Sequence, residues 1–166
     1  MLAKRPIEDL LKELSKLYDN PADATHADFY AKLSLLELCG WLEAAIDNII
    51  LTYARLKVTT AKNIDLLEKE IVGKTYGCDY KDHARQMLIK IIGLINVEKL
   101  ETELTNLGIF QILVSQLGSL WALRKPEAHT TIAGVTRSFQ APSAMLTYLN
   151  SLEPILNTFE TELNKI

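Results

Sequence analysis

Apolar residues recur at helical spacing along most of the chain, and no stretch keeps the alternation that marks a β-strand. The spacing predicts helices over residues 6–18, 27–57, 60–72, 79–95, 97–107, 109–125 and 143–164. We therefore predict an all-α, up-and-down helical bundle with one long early helix and short accessory helices. The whole chain, residues 1–166, is predicted to form a single domain.

Glycine and proline give the predicted ends of these helices. Gly73 and Gly77 bracket a turn, and residues 130–142 are predicted to form a loop. We expect Pro126 to stop the sixth helix and Pro154 to kink or break the last one, because a proline ring clashes with the preceding turn.

Composition narrows the class of protein. Apolar residues make up 48% of the 166 residues, and the net charge is −3, which argues against a protein that coats nucleic acid in general. This net charge does not exclude a nuclease with a small basic pocket.

Residues 104–123 are long enough to cross a membrane, but their polar side chains make the segment amphipathic, so we expect a buried helix and no membrane association. The N-terminus lacks the apolar core of a signal peptide, and Cys39 and Cys78 suggest no disulfide framework, so we expect a cytoplasmic protein.

The sixth helix ends in an arginine that interrupts an apolar stripe. Residues 104–123 contain no charged side chain, and the helical spacing of Leu117 and Leu120 leads directly to Arg124. A guanidinium is costly to bury without a partner. His129 follows five positions later, and a permanent cation beside a group that titrates near neutrality suits chemistry on a phosphodiester. The alternative is an arginine that bonds the last helical carbonyls, followed by a loop histidine without a role.

Two acidic residues, Glu43 and Asp47, lie one turn apart on an otherwise apolar face of the long helix. Either Glu43 or Asp47 lies beside Arg124 and orients it, or Glu43 lies at the edge of the apolar stripe and points into solvent.

No metal cluster is expected, because the three histidines are scattered and no metal-binding motif is present. Cys39 is interpreted as a core thiol. The aromatic and basic residues of the 76–85 segment either stack against single-stranded RNA or form a solvated turn.

The chain resembles the HEPN family, the all-α modules that act on nucleotides and RNA, over roughly residues 27–165. The resemblance lies in the segment Cys39-Gly40-Trp41-Leu42-Glu43 of the long helix and in the arginine and histidine of Leu123-Arg124-Lys125-Pro126-Glu127-Ala128-His129 at a helix end. A terminal helix entered through Ala141-Pro142-Ser143 completes it. It is similar in particular to the bacterial branch with a Gly-aromatic-x-Glu segment in the early helix.

The resemblance implies metal-independent RNA cleavage by a homodimer whose two arginine–histidine pairs face one another, without a cofactor. By this resemblance Arg124, His129 and Glu43 are the expected catalytic residues. The resemblance also implies a prokaryotic protein that acts as a toxin or in defence, together with an antitoxin or partner protein that neutralises it. Lys125, Asp47 and Arg137 are candidate substrate-binding residues, although Arg137 is better explained as a solvated loop residue.

The chain departs from the family pattern directly after Arg124. Many active members carry a small polar residue, often asparagine, where this chain has Lys125 followed by Pro126. Lys125 either supplies an extra phosphate contact or marks a member that has lost catalysis. The alternative function is a non-catalytic helical module that binds a partner protein or a nucleotide.

Overall fold

The structure, a computed structural model, describes residues 2–127 and 139–166 and contains seven α-helices and no strand within those ranges. The helices are α1 (Arg5–Asp19), α2 (Ala24–Lys57), α3 (Ala61–Leu66), α4 (Arg85–Ile92), α5 (Leu94–Asn106), α6 (Phe110–Glu127) and α7 (Pro142–Leu163). Two short π-helical segments accompany them: Leu67–Val72 continues α3, and Tyr80–Ala84 leads into α4. The predicted all-α bundle is confirmed.

The long helix α2 lies at the centre of the packing. It contacts α1, α6 and α7, while α5 packs against α4, α6 and α7. One continuous apolar core joins these elements, and its fully buried side chains include Leu38, Leu42, Leu100, Leu117 and Leu149. Asp23 caps the start of α2, because its carboxylate accepts a hydrogen bond from the His26 backbone N–H at 3.0 Å.

The chain does not reverse direction between α5 and α6 but bends there by 103°. Gly108 lies in this connection with a φ of +73°. Within the described residues, no single helix is both long and apolar enough to cross a membrane; only α5 and α6 taken together as this bent pair pass a test of length and composition.

Two predicted helix ends are wrong. The helix predicted over 79–95 ends at Ile92, because Gly93 adopts a φ of +79° that glycine accepts without strain and starts α5 immediately afterwards. Pro126 does not stop α6, which continues to Glu127. A proline in the last turn removes only one intrahelical hydrogen bond, and Ala122, whose carbonyl loses it, is exposed to water.

Pro154 does not break the last helix, since α7 runs from Pro142 to Leu163. Pro154 lacks the N–H that would bond the Asn150 carbonyl one turn earlier. Both residues are exposed, so this carbonyl faces water. Leu152, Ile155 and Phe159 are buried on either side of it. Packing of these side chains against the core holds both halves of the helix together.

Candidate functional site

Arg124 of α6 and Glu43 of α2 form an ion pair between the two helices. Nη1 of Arg124 donates to Oε2 of Glu43 at 2.9 Å, and the two side chains retain 24% and 19% of their exposure. The other carboxylate oxygen, Oε1, accepts the backbone N–H of Gly77 at 2.9 Å. Glu43 therefore does not point into solvent but joins three separate segments of the chain at one carboxylate.

The crossing of α2 and α6 explains why these two residues meet. One turn before the pair, the Cys39 thiol donates to the Leu120 carbonyl oxygen at 3.8 Å, and both residues are fully buried. Advancing four residues along each helix leads from Cys39 to Glu43 and from Leu120 to Arg124. The ion pair is thus the next contact along the same interface, at the point where it opens to solvent.

Two aromatic rings complete the surroundings of Arg124. The guanidinium carbon lies 5.5 Å from the centre of the Trp121 ring, a cation–π contact. Trp121 in turn meets His83 edge to face, with ring centres 4.8 Å apart. The His83 ring covers Gly77 so closely that a Cβ there would lie 2.6 Å from the ring atom Cε1. Glycine is required at position 77 for this contact and for its φ of +130°.

His83 is the histidine that the described residues place nearest to Arg124, and the sequence reasoning did not assign it to this site. Its Nδ1 atom is buried and has no hydrogen-bond partner in residues 2–127 and 139–166. Trp121 was detectable from its position one turn before Arg124 on the same helix. Nothing in the local pattern around His83 or Gly77 connects them to an arginine about 40 residues away.

Asp47 does not pair with Arg124 within the described part of the chain. Burial and, to a smaller extent, the negative charge of Glu43 together raise the pKa of the Asp47 carboxyl to about 7. The carboxyl therefore exchanges its proton near neutral pH. Its predicted role in substrate binding stays a prediction.

The raised pKa of Asp47 predicts a pH-dependent effect on stability. The pKa of Asp47 in the folded chain exceeds the unfolded value of 3.8, so at this carboxyl the unfolded chain binds fewer protons than the folded chain between these two pKa values. The free energy of unfolding therefore falls as the pH rises from about 4 to about 7. We expect Asp47→Asn to increase the free energy of unfolding by about 1 kcal/mol at pH values near 8, because solvent screens this partly buried carboxyl, and by less near pH 5. Urea unfolding at both pH values measures this. Asp28→Asn, an exposed aspartate of α2, is the control; an equal pH response in both variants would contradict the assignment.

The remaining predicted site residues are placed only in part. Lys125 is exposed in the last turn of α6, next to Arg124. His129 and Arg137 lie outside the described residues, as does most of the predicted 130–142 loop. Among the described residues, no group of three or more histidine, cysteine or acidic side chains is arranged to hold a metal ion.

The two cysteines are buried free thiols. The neighbouring Cys78 thiol, followed by burial, raises the pKa of the Cys39 thiol, so the thiolate that nucleophilic chemistry needs is scarce. The interpretation of Cys39 as a core thiol is confirmed, and Cys78 belongs to the same core.

Comparison with protein-family models, with curated proteins and with solved structures finds no match. The resemblance to HEPN proteins therefore rests on the residues quoted above.

Proposed function

We propose that this protein is a metal-independent endoribonuclease of the HEPN type that acts as a homodimer. The observation that carries the proposal is the restrained guanidinium of Arg124, held at 2.9 Å by Glu43 and flanked by Trp121. It lies at the end of α6, five positions before His129 in sequence. A guanidinium that is fixed in place and still partly open to solvent suits the binding of phosphate oxygens.

The proposed reaction begins with attack of an RNA 2′-hydroxyl on the adjacent phosphorus. His129 of one protomer takes the proton from that hydroxyl and His129 of the other gives one to the departing 5′-oxygen, while Arg124 stabilises the charge that develops on the phosphoryl oxygens. The P–O5′ bond breaks as the P–O2′ bond forms, so the products carry a 2′,3′-cyclic phosphate and a 5′-hydroxyl. The nucleophile belongs to the substrate, which removes the need for a metal-activated water.

We assign Glu43 a positioning role rather than direct contact with the substrate. Its two oxygens are occupied by Arg124 and by the Gly77 N–H, each at 2.9 Å. Lys125, exposed beside Arg124, is the proposed additional phosphate contact, and Asp47 is kept as a candidate substrate contact on the same helix as Glu43. The toxin or defence context, a neutralising partner protein, the part played by Arg137 and a cytoplasmic location belong to the same proposal.

RNA cleavage by the purified protein in the presence of a metal chelator tests the proposal. We expect mixed cellular RNA to be cut and the products to end in 2′,3′-cyclic phosphates. RNA carrying 2′-O-methyl groups throughout is the control and should stay intact, because its nucleophile is blocked. Intact unmodified RNA after incubation with the purified dimer would contradict the proposal.

Exposed apolar side chains at the start of α5 favour a second candidate, the non-catalytic module that binds a partner protein. Leu94 is 54% exposed and Ile95 is 74% exposed, next to each other in sequence. This candidate predicts that charged substitutions at these two positions abolish the biological effect while Arg124 and His129 are dispensable. RNA cleavage by the wild-type protein would count against it.

A further inference from the structure

An open groove of about 540 Å³, whose lining does not include Arg124 or Glu43, lies where the segment 80–86 meets α5 and α6. Its volume falls within the range of small-molecule sites. Tyr80 and Arg85 form one wall, Glu101 of α5 a second, and Phe110 and Gln111 at the start of α6 a third. It contains three of the aromatic and basic residues of the 76–85 segment, Tyr80, Lys81 and Arg85, which take no part in the ion pair at Arg124.

A hydrogen-bond network centred on Glu101 fixes the arginine in this groove. Oε1 of Glu101 accepts from the Tyr80 hydroxyl at 3.0 Å and from Nε of Arg85 at 2.7 Å. Arg85 thus uses Nε to bind Glu101, and its two terminal nitrogens have no hydrogen-bond partner in residues 2–127 and 139–166. The result is a guanidinium of fixed orientation with two nitrogens that remain available to bind a ligand.

The wall formed by Phe110 offers an aromatic surface. The Phe110 ring meets the buried Tyr80 ring edge to face, with centres 5.3 Å apart and planes at 86°. Phe110 is only partly buried, so part of the ring borders the groove. A flat ligand ring gains stacking energy against such a surface whatever its substituents.

The polar groups of the groove include donors and acceptors in similar numbers. Lys81 and Arg85 donate, Asp82 and Glu101 accept, and the amide of Gln111 does both. A bare anion accepts hydrogen bonds only and is repelled by the two carboxylates. A nucleobase is flat and presents donors and acceptors side by side along its edge, so it matches the groove better.

We propose that this groove binds one nucleotide of a single-stranded RNA, with the base against Phe110 and its edge at Gln111 and Asp82. The backbone phosphate lies near Arg85 and Lys81. This inference rests on the proposed function, since it makes the groove a second contact for the same substrate that reaches Arg124.

The groove and Arg124 lie along one side of α6. Phe110 and Arg124 are 14 residues apart, close to four full turns, so they face similar directions about 21 Å apart along the helix axis. The segment that contains Gly77, Tyr80 and His83 follows the same side, with His83 at Trp121 and Tyr80 at Phe110. A single strand of several nucleotides extended along this segment reaches both places, so the groove selects for single strands and adds binding affinity at a distance from the scissile phosphate.

Binding of a short single-stranded RNA with 2′-O-methyl groups throughout tests the groove without cleavage. Fluorescence anisotropy of the labelled strand should show Kd about tenfold higher for Phe110→Leu than for the wild type, because leucine keeps most of the apolar volume but removes the ring face. Gln111→Ala, an exposed residue with no protein hydrogen bond in the described structure, should also weaken binding severalfold without affecting folding. Phe29→Leu is the matched control, an exposed phenylalanine of α2 that should bind like the wild type.

The outcomes separate this inference from the proposed ribonuclease activity. Unchanged binding by both Phe110→Leu and Gln111→Ala, or no binding by the wild type, overturns the groove as an RNA site, whether or not the protein cleaves RNA. Weakened binding by both variants supports the groove even if wild-type protein leaves unmodified RNA intact. If the wild type does cleave, Phe110→Leu should raise KM and leave kcat nearly unchanged, because the groove lies far from the reacting phosphate.

Discussion

Replacing His129 by alanine is expected to lower the rate of RNA cleavage at least about a hundredfold, because a positioned general acid or base contributes rate factors of about 10²–10⁴. The arginine alone still binds and stabilises the phosphate, so a slow residual rate is expected. The measurement is the initial rate of cleavage of a labelled single-stranded RNA in chelator, with thermal unfolding recorded in parallel. The unfolding midpoint should match the wild type, since the proposed role is in proton transfer and not in folding.

His26→Ala is the matched control for this experiment. His26 is an exposed histidine in the first turn of α2, where its ring nitrogen lies 2.9 Å from Asp23, and its loss should leave the cleavage rate unchanged. A wild-type rate in His129→Ala would contradict the proposed role of His129. Loss of cleavage in His83→Ala but not in His129→Ala would transfer the proton-transfer role to His83, whose ring contacts Trp121 beside Arg124.

Glu43→Ala is expected to lower the free energy of unfolding by about 2–3 kcal/mol. The substitution removes the acceptor of two hydrogen bonds at once, and it leaves both the Arg124 guanidinium and the Gly77 N–H without their protein partner. The cost stays below that of a fully buried pair because both side chains keep about a fifth of their exposure. Urea unfolding near neutral pH measures the change.

Glu68→Ala provides the matched control, because Glu68 also binds an arginine but on the surface. Its Oε1 accepts from two nitrogens of Arg55, at 2.7 and 3.1 Å, and the two side chains are 51% and 39% exposed for Arg55 and Glu68. An exposed pair of this kind contributes about 1 kcal/mol or less, so Glu68→Ala should have a much smaller effect. Equal losses in the two variants would show that burial of the Glu43–Arg124 pair adds nothing to its contribution.

The helix pattern could be predicted because it depends on neighbours within one or two turns. The periodicity of α2 and α6 predicted both helices to within about three residues at each end. The prediction of a break at Pro154 gave no weight to tertiary packing, since Leu152, Ile155 and Phe159 bury the opposite face and keep α7 continuous. A local rule about proline cannot include the energy of contacts with other helices.

The candidate site was accessible from the sequence only in part. Arg124 was identifiable because it continues an apolar stripe, and Glu43 and Asp47 because they interrupt another. The choice between the two acids depends on how α2 crosses α6, which the Cys39–Leu120 contact establishes. That crossing brings Glu43 to Arg124, while Asp47, one turn further along α2, has no ion pair with it in the described structure.

The sequence by itself determined the helical composition of this protein, the arginine that continues the apolar stripe of the sixth helix and the two acids that lie one turn apart on an apolar face of α2. These features follow from the 3.6-residue period of the helix and from the cost of burying charge, both of which can be evaluated residue by residue. Only the tertiary structure decided that Glu43 binds Arg124 across 81 residues and Gly77 across 34. The tertiary structure likewise brings His83 against Trp121 and forms the groove beside Phe110. The physical reason is that such contacts depend on how whole helices pack against a shared core, and the spacing of apolar residues along one helix contains no information about that packing.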